Sequence, residues 1–263
     1  MNKKNIHLLG LLSIAFLLGS CNFSMNLTEK EGKGPIIDKV YDMKFTGIEQ
    51  DNGIESKVYK SDAHKIVVQA PDDIISYILV ELQVNNIVHI HMKKNSNISL
   101  NKVKVSIYTP FIKSLDASSA AEIIVMDTFT SEMITLETTS GAEISGSLKA
   151  LNGQVKSSSG SSIQLHFLGE SLNAQSSSGS SIELSGLSKS CQIKASSGAQ
   201  VDAEKFITQN ADAESSSGGG IEVSSTQKAI AKASSGSSIK IYRQGNQFDV
   251  QKQETSGGSV SIR

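Results

Sequence analysis

The chain has 263 residues, a formal net charge of −1, 5% aromatic residues and no tryptophan. A charge this close to neutral argues against a nucleic-acid partner, because such binders usually carry a basic patch or stripe. Two arginines, Arg243 and Arg263, leave few groups for bidentate binding of phosphate or carboxylate. The shortage of aromatic residues disfavours a carbohydrate cleft built on stacked rings.

The N-terminus has the pattern of an exported bacterial lipoprotein. Lys3 and Lys4 precede an apolar run over residues 6–18 that is too short for a comfortable membrane-spanning helix. The following Leu18-Gly19-Ser20-Cys21 resembles a lipobox, in which the cysteine is acylated and becomes the mature N-terminus. An ordinary signal peptide with an incidental cysteine is the alternative.

These signals divide the chain into three parts. Residues 1–21 are predicted to be a lipoprotein signal peptide, residues 22–35 a flexible tether, and residues 36–263 a single folded domain. The lipid on Cys21 would attach the exported protein to the outer membrane, on its periplasmic or its surface side. Cys191 is then left without a disulfide partner, and its position on an inward parity predicts a buried, inert thiol.

Eight copies of one short phrase fill residues 115–263. In each copy two hydroxyl residues lead into a small turn residue, and a β-branched residue follows three positions later. The steps between turn residues are 21, 19, 19, 19, 20, 18 and 21, a period typical of stacked coils that cannot bury their apolar faces alone. The turn residues are Ala120, Gly141, Gly160, Gly179, Gly198, Gly218, Gly236 and Gly257.

Aliphatic residues three and five positions after each turn predict two inward columns, because side chains alternate along a strand. The first column is Ile123, Ile144, Ile163, Ile182, Val201, Ile221, Ile239 and Val260. The second is Val125, Gly146, Leu165, Leu184, Ala203, Val223, Ile241 and Ile262. We therefore predict an all-β fold, a single-stranded parallel β-helix with coils of about 19–20 residues. Parallel crossovers favour the right-handed sense.

Residues 36–114 lack the repeat and are predicted to form irregular N-terminal coils that cap the stack. Strand patterns occur at residues 65–70, 87–92 and 102–107. Residues 72–82 fit either a short helix or a strand, and we favour the strand.

A column of serines stands just before the turn residues. A row of hydroxyls could bind a polymer or order water, but small polar residues also suit a tight corner, which is our interpretation. We expect the serines to bond to one another in a narrow space, and the glycines to allow a positive φ. The column is Ser119, Ser140, Ser159, Ser178, Ser197, Ser217, Ser235 and Ser256.

The sequence offers few candidates for catalytic, ligand-binding or metal-binding residues. Glu183, Asp202 and Glu222 form an outward acidic line on consecutive coils, as a ligand-facing surface or a glycan-cleaving site would, although a solvated charged face is the commoner meaning. His89 and His91 share a strand face and could hold a metal, but no cysteine or third histidine accompanies them. We therefore expect no catalytic residues, no metal and no cofactor.

Several segments together resemble a known family. They are the lipobox, Phe45-Thr46-Gly47-Ile48, the segment from Val103 to Pro110 and the repeated Ser-Ser-Gly-Ser-Ser-Ile phrase. They are similar to the head GIN domain family of proposed autotransporter adhesins, which are secreted or lipid-anchored proteins common in Bacteroidetes. The resemblance covers roughly residues 40–262 and implies a right-handed β-helix of pectin-lyase-like shape, an adhesion role and no catalytic residues to carry over.

Three functions follow from these patterns. The first is a non-catalytic, lipid-anchored cell-envelope adhesin whose partner is a polysaccharide or a surface protein. The second is a polysaccharide lyase or hydrolase that acts on a glycan along the outer face. The third is a structural envelope component that associates with itself as a homo-oligomer.

Overall fold

A computed structural model describes residues 30–245 and 248–263. In these ranges the chain forms a parallel β-solenoid of about eight turns, with no α-helix. The prediction of an all-β parallel β-helix is therefore confirmed. The core is the interior of the solenoid, where aliphatic and phenylalanine side chains from all coils form one continuous cluster.

The N-terminal part of the fold combines two elements of the stack with a closing cap. Strands β2 and β3 pair in parallel with later coils, whereas β1 with β4, β4 with β7, and β5 with β6 pair antiparallel. The elements are β1 (Ile36–Asp42), β2 (Gly47–Gln50), β3 (Glu55–Lys60), β4 (Lys65–Pro71), a 3-10 helix (Ile75–Tyr77), β5 (Ile78–Leu82), β6 (Ile87–Met92) and β7 (Lys104–Thr109).

The strand predicted for residues 72–82 was wrong in its first half. A 3-10 turn occupies Ile75–Tyr77, and only Ile78–Leu82 is extended. The Ile75 side chain is buried, with 6% of its surface exposed. An apolar run of this length fits a buried turn and a strand equally well, so its pattern alone could not separate them.

From β11 to β15, one long strand makes one coil between two turns. The strands of this part are β8 (Ser114–Ala117), β9 (Glu122–Val125), β10 (Phe129–Thr138), β11 (Glu143–Ser157), β12 (Ser162–Ser176), β13 (Ser181–Ala195), β14 (Gln200–Ser215), β15 (Gly220–Ala233), β16 (Ser238–Arg243), β17 (Asp249–Glu254) and β18 (Ser259–Ile262). Each strand from β8 to β16 pairs in parallel with the corresponding strand of the next coil. Every backbone ladder therefore runs along the solenoid axis.

The first predicted inward column is confirmed. Its eight residues are Cα partners in unbroken succession, and each exposes at most 7% of its surface. The second column is buried along most of its length but is wrong at Ile262, which is 48% exposed. Its strand β18 pairs with β16 alone, so no further coil of the described chain covers that residue.

Each turn places two consecutive residues in the left-handed region. In the coil that contains Gly179, Ser178 has φ 54° and Gly179 has φ 70°, and Ser180 N–H donates to Ser177 O at 3.2 Å. Two positive φ values with a bond from the fourth residue to the first are the signature of a type I′ turn. A Cβ on Gly179 would meet no atom within 4 Å, so the backbone conformation, and not lack of space, favours glycine there.

We expected the column serines to bond to one another in a narrow space, but in the described part of the chain no side-chain hydrogen bond joins two of them. Ser159 and Ser178 are exposed, and the buried hydroxyl network belongs to the columns that flank them. Ser176 Oγ lies 2.8 Å from Ser180 Oγ, which donates to Ser157 O at 2.7 Å. A left-handed φ turns the serine side chain outward, which a count of residue types could not show.

One turn was missed altogether. Asn52 and Gly53 have φ 63° and 68°, and the Gly53 N–H donates to Ser119 O at 2.9 Å. This turn between β2 and β3 therefore extends the same stack into the N-terminal region. Asn-Gly is a strong type I′ signal, but it lacks the serines of the repeated phrase.

Substitutions at two adjacent residues test which side chains point into the solenoid and which point outward. Ile182 is 1% exposed inside the solenoid, whereas the Glu183 side chain is exposed. Ile182→Asp should abolish cooperative folding, because it buries a charge without a partner, and Glu183→Lys should change the melting temperature little. Circular dichroism melts of both variants measure this, and equal damage from the two changes would contradict the assigned facing.

Candidate functional site

The predicted acidic line exists, but its members differ in their surroundings. Glu183 and Asp202 are Cα partners, as are Asp202 and Glu222, so the three residues lie on successive coils. Glu183 and Asp202 are exposed and Glu222 is half-buried. Asp202 Oδ1 accepts the Glu204 N–H at 3.0 Å. Their role in facing a ligand remains a prediction.

Glu222 is fully engaged by its neighbours. Lys240 Nζ donates to Glu222 Oε1 at 2.6 Å, and the Tyr242 hydroxyl donates to Glu222 Oε2 at 2.7 Å. These two bonds, that of Lys240 first, lower the pKa of Glu222, and the bond to Glu222 raises the pKa of Tyr242 to about 12. The carboxylate is therefore ionised and paired, which is a poor state for a general acid.

A polar groove runs beside the turns, and we call it the axial groove. One wall is the outward column four positions before each turn residue, where Glu137, Lys156, Gln175, Lys194 and Glu214 are successive Cα partners. The opposite wall holds the hydroxyl residues two positions before the turn, which are Ser158, Ser177, Ser196 and Ser216. The groove encloses about 310 Å³. With coils about 4.8 Å apart, it extends for about 19 Å along the axis.

Charge in the axial groove is partly compensated. Lys194 Nζ lies 2.9 Å from Glu214 Oε2, and this hydrogen bond raises the pKa of Lys194 and lowers that of Glu214. Lys156 is half-buried and has no ion-pair partner within the described ranges. The groove can therefore offer the Lys156 cation, the Glu137 carboxylate, the Gln175 amide and a row of hydroxyls to a ligand.

A second polar cluster lies where the cap meets the first coils, and we call Glu49, Asp51 and His89 the cap cluster. His89 Nε2 lies 2.8 Å from Asp51 Oδ2 and 3.8 Å from Glu49 Oε1. Their side chains are 19–34% exposed. The His91 ring stacks on His89 with centroids 4.1 Å apart. Strand β2 supplies Glu49, its end supplies Asp51, and β6 supplies both histidines.

Several carboxyl groups lie together at the cap cluster and influence one another's pKa values. Burial raises the pKa of Asp51, but hydrogen bonds from Ser118 and His89 outweigh it, and the net pKa is lowered. Asp116 is the Cα partner of both Glu49 and Glu137. Burial, followed by the charges of Glu137, Glu49 and Asp51, raises the pKa of Asp116 to about 6.

Sequence reasoning found the two histidines but missed the carboxylates. Glu49 and His89 are 40 positions apart and meet because β2 and β6 pair in parallel. No local pattern marks this pairing, because β3, β4 and β5 lie between the two strands in the chain, and β4 and β5 pair antiparallel with their neighbours. Proximity of these side chains follows from topology alone.

The structure describes only one of the two cysteines, Cys191. Cys191 is 4% exposed, as predicted, and burial raises the pKa of its thiol to about 12, which makes it unreactive. Cys21 and the rest of the predicted signal peptide lie outside the described residues. Residues 30–245 and 248–263 contain no helix long and apolar enough to cross a membrane.

The fold is that of a repeat protein of the β-solenoid class with a polar groove along its axis. A family model described as "Putative auto-transporter adhesin, head GIN domain" matches residues 44–245, and the chain belongs to this family. The resemblance inferred from the motifs is thus confirmed. No curated protein matches the chain.

Solved structures share the fold at low sequence identity. One, described as a putative adhesin from Parabacteroides merdae, is 14% identical, with 89% of this chain and 99% of that chain covered and a TM-score of 0.78. A putative adhesin from Parabacteroides distasonis is 15% identical, with 89% and 100% covered and a TM-score of 0.81. A putative lipid binding protein from the same species is 16% identical, with 90% and 100% covered and a TM-score of 0.81.

A tyrosine titration tests whether Glu222 is engaged. In protein labelled with ¹³C at the tyrosine Cζ, the resonance of Tyr242 should report a pKa of about 12, above the ordinary tyrosine pKa of about 10. Glu222→Gln removes the negative charge and should lower the pKa of Tyr242, whereas Glu183→Gln should leave it unchanged. A Tyr242 transition near the ordinary value in the unmodified protein would show that the pair does not form.

Proposed function

We propose that the protein is a lipid-anchored, non-catalytic adhesin of the cell envelope that binds an extended polysaccharide along the axial groove. The family and its structural neighbours support an adhesin-like role. The single observation that carries the proposal is the groove itself, because one of its walls repeats a serine hydroxyl from coil to coil. A polymer laid along the axis would meet a serine hydroxyl at every step of about 4.8 Å.

The chemistry of the groove suits a glycan more than an apolar peptide. Its walls offer the serine hydroxyls, the Gln175 amide and the unpaired Lys156 ammonium, which can bond to sugar hydroxyls and carboxylates. None of the described residues that line it is aromatic, so each sugar unit would bind weakly. Affinity would then come from many equivalent contacts along one chain, as in multivalent binding.

The acidic line supports binding or solvation better than catalysis. Glycosidases need two carboxyl groups in complementary states on either side of the scissile bond. Glu222 is ionised and held by Lys240 and Tyr242, and Asp202 accepts a backbone N–H. This arrangement supports the non-catalytic proposal over a lyase or hydrolase.

Attachment to the outer membrane through Cys21 is the second part of the proposal. It rests on the lipobox and the short apolar run that precedes it. In cells fed an alkyne fatty acid, the protein should become labelled and fractionate with membranes, and Cys21→Ser should lose both properties. Labelling that persists in Cys21→Ser would contradict the assigned anchor.

Substitutions that fill the axial groove test whether it is the binding surface. The double variant Ser177→Gln with Ser196→Gln fills the hydroxyl wall at two adjacent coils and should weaken retention on a bound polysaccharide by about tenfold, as expected for one or two lost hydrogen bonds of about 1 kcal/mol each. Ser171→Gln with Ser190→Gln is the matched control, since these serines are Cα partners away from the groove. Retention on a panel of acidic and neutral polysaccharides is the measurement.

The binding experiment also separates the alternative functions, when the polysaccharides are assayed for cleavage and the protein for its oligomeric state. New reducing ends or unsaturated products, lost on changing Glu183, Asp202 and Glu222 to alanine, would overturn the non-catalytic proposal. A defined oligomer by light scattering, with no glycan retained, would favour the self-associating structural component. Retention by the groove-blocked variant equal to that of the parent would overturn the groove as the binding surface.

A further inference from the structure

The cap cluster brings three metal-ligating side chains to one point on rigid strands. The Nε2 atom of His89 and one oxygen from each of Glu49 and Asp51 all lie within 4.8 Å of one another. Glu49 and His89 are opposite each other in the parallel pairing of β2 with β6. Ligands about 2.0–2.2 Å from a shared cation are separated by distances of this order.

Both carboxylates have one oxygen fixed by an uncharged donor. Gln83 Nε2 donates to Glu49 Oε2 at 2.8 Å, and the Ser118 hydroxyl donates to Asp51 Oδ1. The remaining oxygens, Glu49 Oε1 and Asp51 Oδ2, are those that approach His89 Nε2. Partners outside the ligand set are what orient metal ligands in known sites.

The imidazole is positioned as well. The His91 ring packs against that of His89 with an interplanar angle of 22°. His91 itself is directed elsewhere, because its Nδ1 lies 3.1 Å from Met92 O and its Nε2 lies 3.4 Å from Glu81 Oε2. His89 is therefore the histidine that faces the two carboxylates.

No lysine or arginine compensates the carboxylates. In the described part of the chain, the ion pairs of Glu49 and Asp51 involve His89 alone. Asp116 adds a third carboxyl group beside Glu49 on the next strand. A divalent cation would neutralise this local excess of negative charge, whereas a histidine can supply at most one positive charge.

We propose that the cap cluster is a binding site for a divalent transition-metal cation of the Zn²⁺ type. His89 Nε2, Asp51 Oδ2 and Glu49 Oε1 are its three protein ligands, and a fourth position is open to water or to a ligand group. The nitrogen ligand favours Zn²⁺ over Ca²⁺, which prefers sites built from oxygen alone. The site lies at the cap end of the same outward column that lines the axial groove.

The ordinary alternative is a histidine hydrogen-bonded to a carboxylate, with no affinity for metal. Calorimetric titration of the purified, EDTA-treated full chain with ZnCl₂, and separately with CaCl₂, distinguishes the two. We expect one Zn²⁺ per chain, with Ca²⁺ bound more weakly. His89→Gln and Asp51→Asn should each weaken Zn²⁺ binding by at least about tenfold, and Gln83→Leu, which frees Glu49 Oε2, by about tenfold.

Matched controls lie on other coils. His166→Gln and Asp202→Asn alter one histidine and one acid outside the cap cluster and should leave Zn²⁺ affinity unchanged. An absence of Zn²⁺ binding to the parent chain, Zn²⁺ affinity retained in His89→Gln, or tighter binding of Ca²⁺ than of Zn²⁺ would each overturn the proposal.

A second measurement covers the case in which a variant fails to fold. In the parent chain labelled with ¹⁵N-histidine, Zn²⁺ should shift the His89 ring nitrogen signals and leave those of His166 in place. Shifts at His166 with none at His89 would place the metal elsewhere and overturn the assignment. Neither measurement depends on polysaccharide binding, so the proposed function and the metal site can fail independently.

Discussion

The hydrogen bond between stacked turns is the constraint on which the rest of the structure depends. Each turn glycine from Gly141 to Gly236 donates its N–H to the carbonyl of the left-handed serine in the next coil, as Gly179 does to Ser197 O at 3.1 Å. The same bond recurs from Ala120 and Ser140 to Gly236 and Ser256. The ladder between coils therefore continues through the corners, and the corners fix the register of the strands on both sides. A slip of one residue would exchange the inward and outward faces of a whole coil.

This bond explains why serine is tolerated in an unfavourable conformation. A non-glycine residue in the left-handed region costs about 1–2 kcal/mol, and eight serines of the stack adopt it with φ between 49° and 56°. In return, the serine carbonyl accepts an intercoil bond, and the turn closes with its own bond from the fourth residue to the first. The exposed serine side chains are thus a consequence of the turn geometry, while the hydroxyls two positions before the glycine line the groove.

The period of the sequence was enough to predict the coils and the facing of their strands. Each inward aliphatic residue falls at a fixed distance from a turn residue, so the Ile163, Ile182 and Val201 column followed from spacing alone. Features that depend on pairing between distant segments could not be predicted. The cap cluster needs β2 and β6 side by side, and the exposure of Ile262 depends on which strand comes last in the stack.

The candidate functional surfaces follow from the same stacking. Because the coils are in register, the position four residues before each turn becomes one outward column, from Glu49 through Asp116 and Glu137 to Glu214. The column is acidic at the cap, where His89 joins it, and of mixed charge along the groove. The members from Asp116 to Glu214 stand at a fixed distance from turn residues that the sequence already shows, whereas Glu49 joins them through the missed turn at Asn52 and Gly53. The acidic line of Glu183, Asp202 and Glu222 was visible in sequence, but the pairing of Glu222 with Lys240 and Tyr242 was not.

Amide hydrogen exchange at the turns tests the central claim most directly. The Gly160, Gly179 and Gly198 residues are exposed, yet their N–H groups are bonded to the next coil, so they should exchange as slowly as the strand amide of Ile182. The neighbouring Ser178 N–H donates no backbone hydrogen bond in the described part of the chain and should exchange fast. Equally fast exchange at the glycines and at Ser178 would show that the intercoil ladder breaks at the corners and would contradict this account.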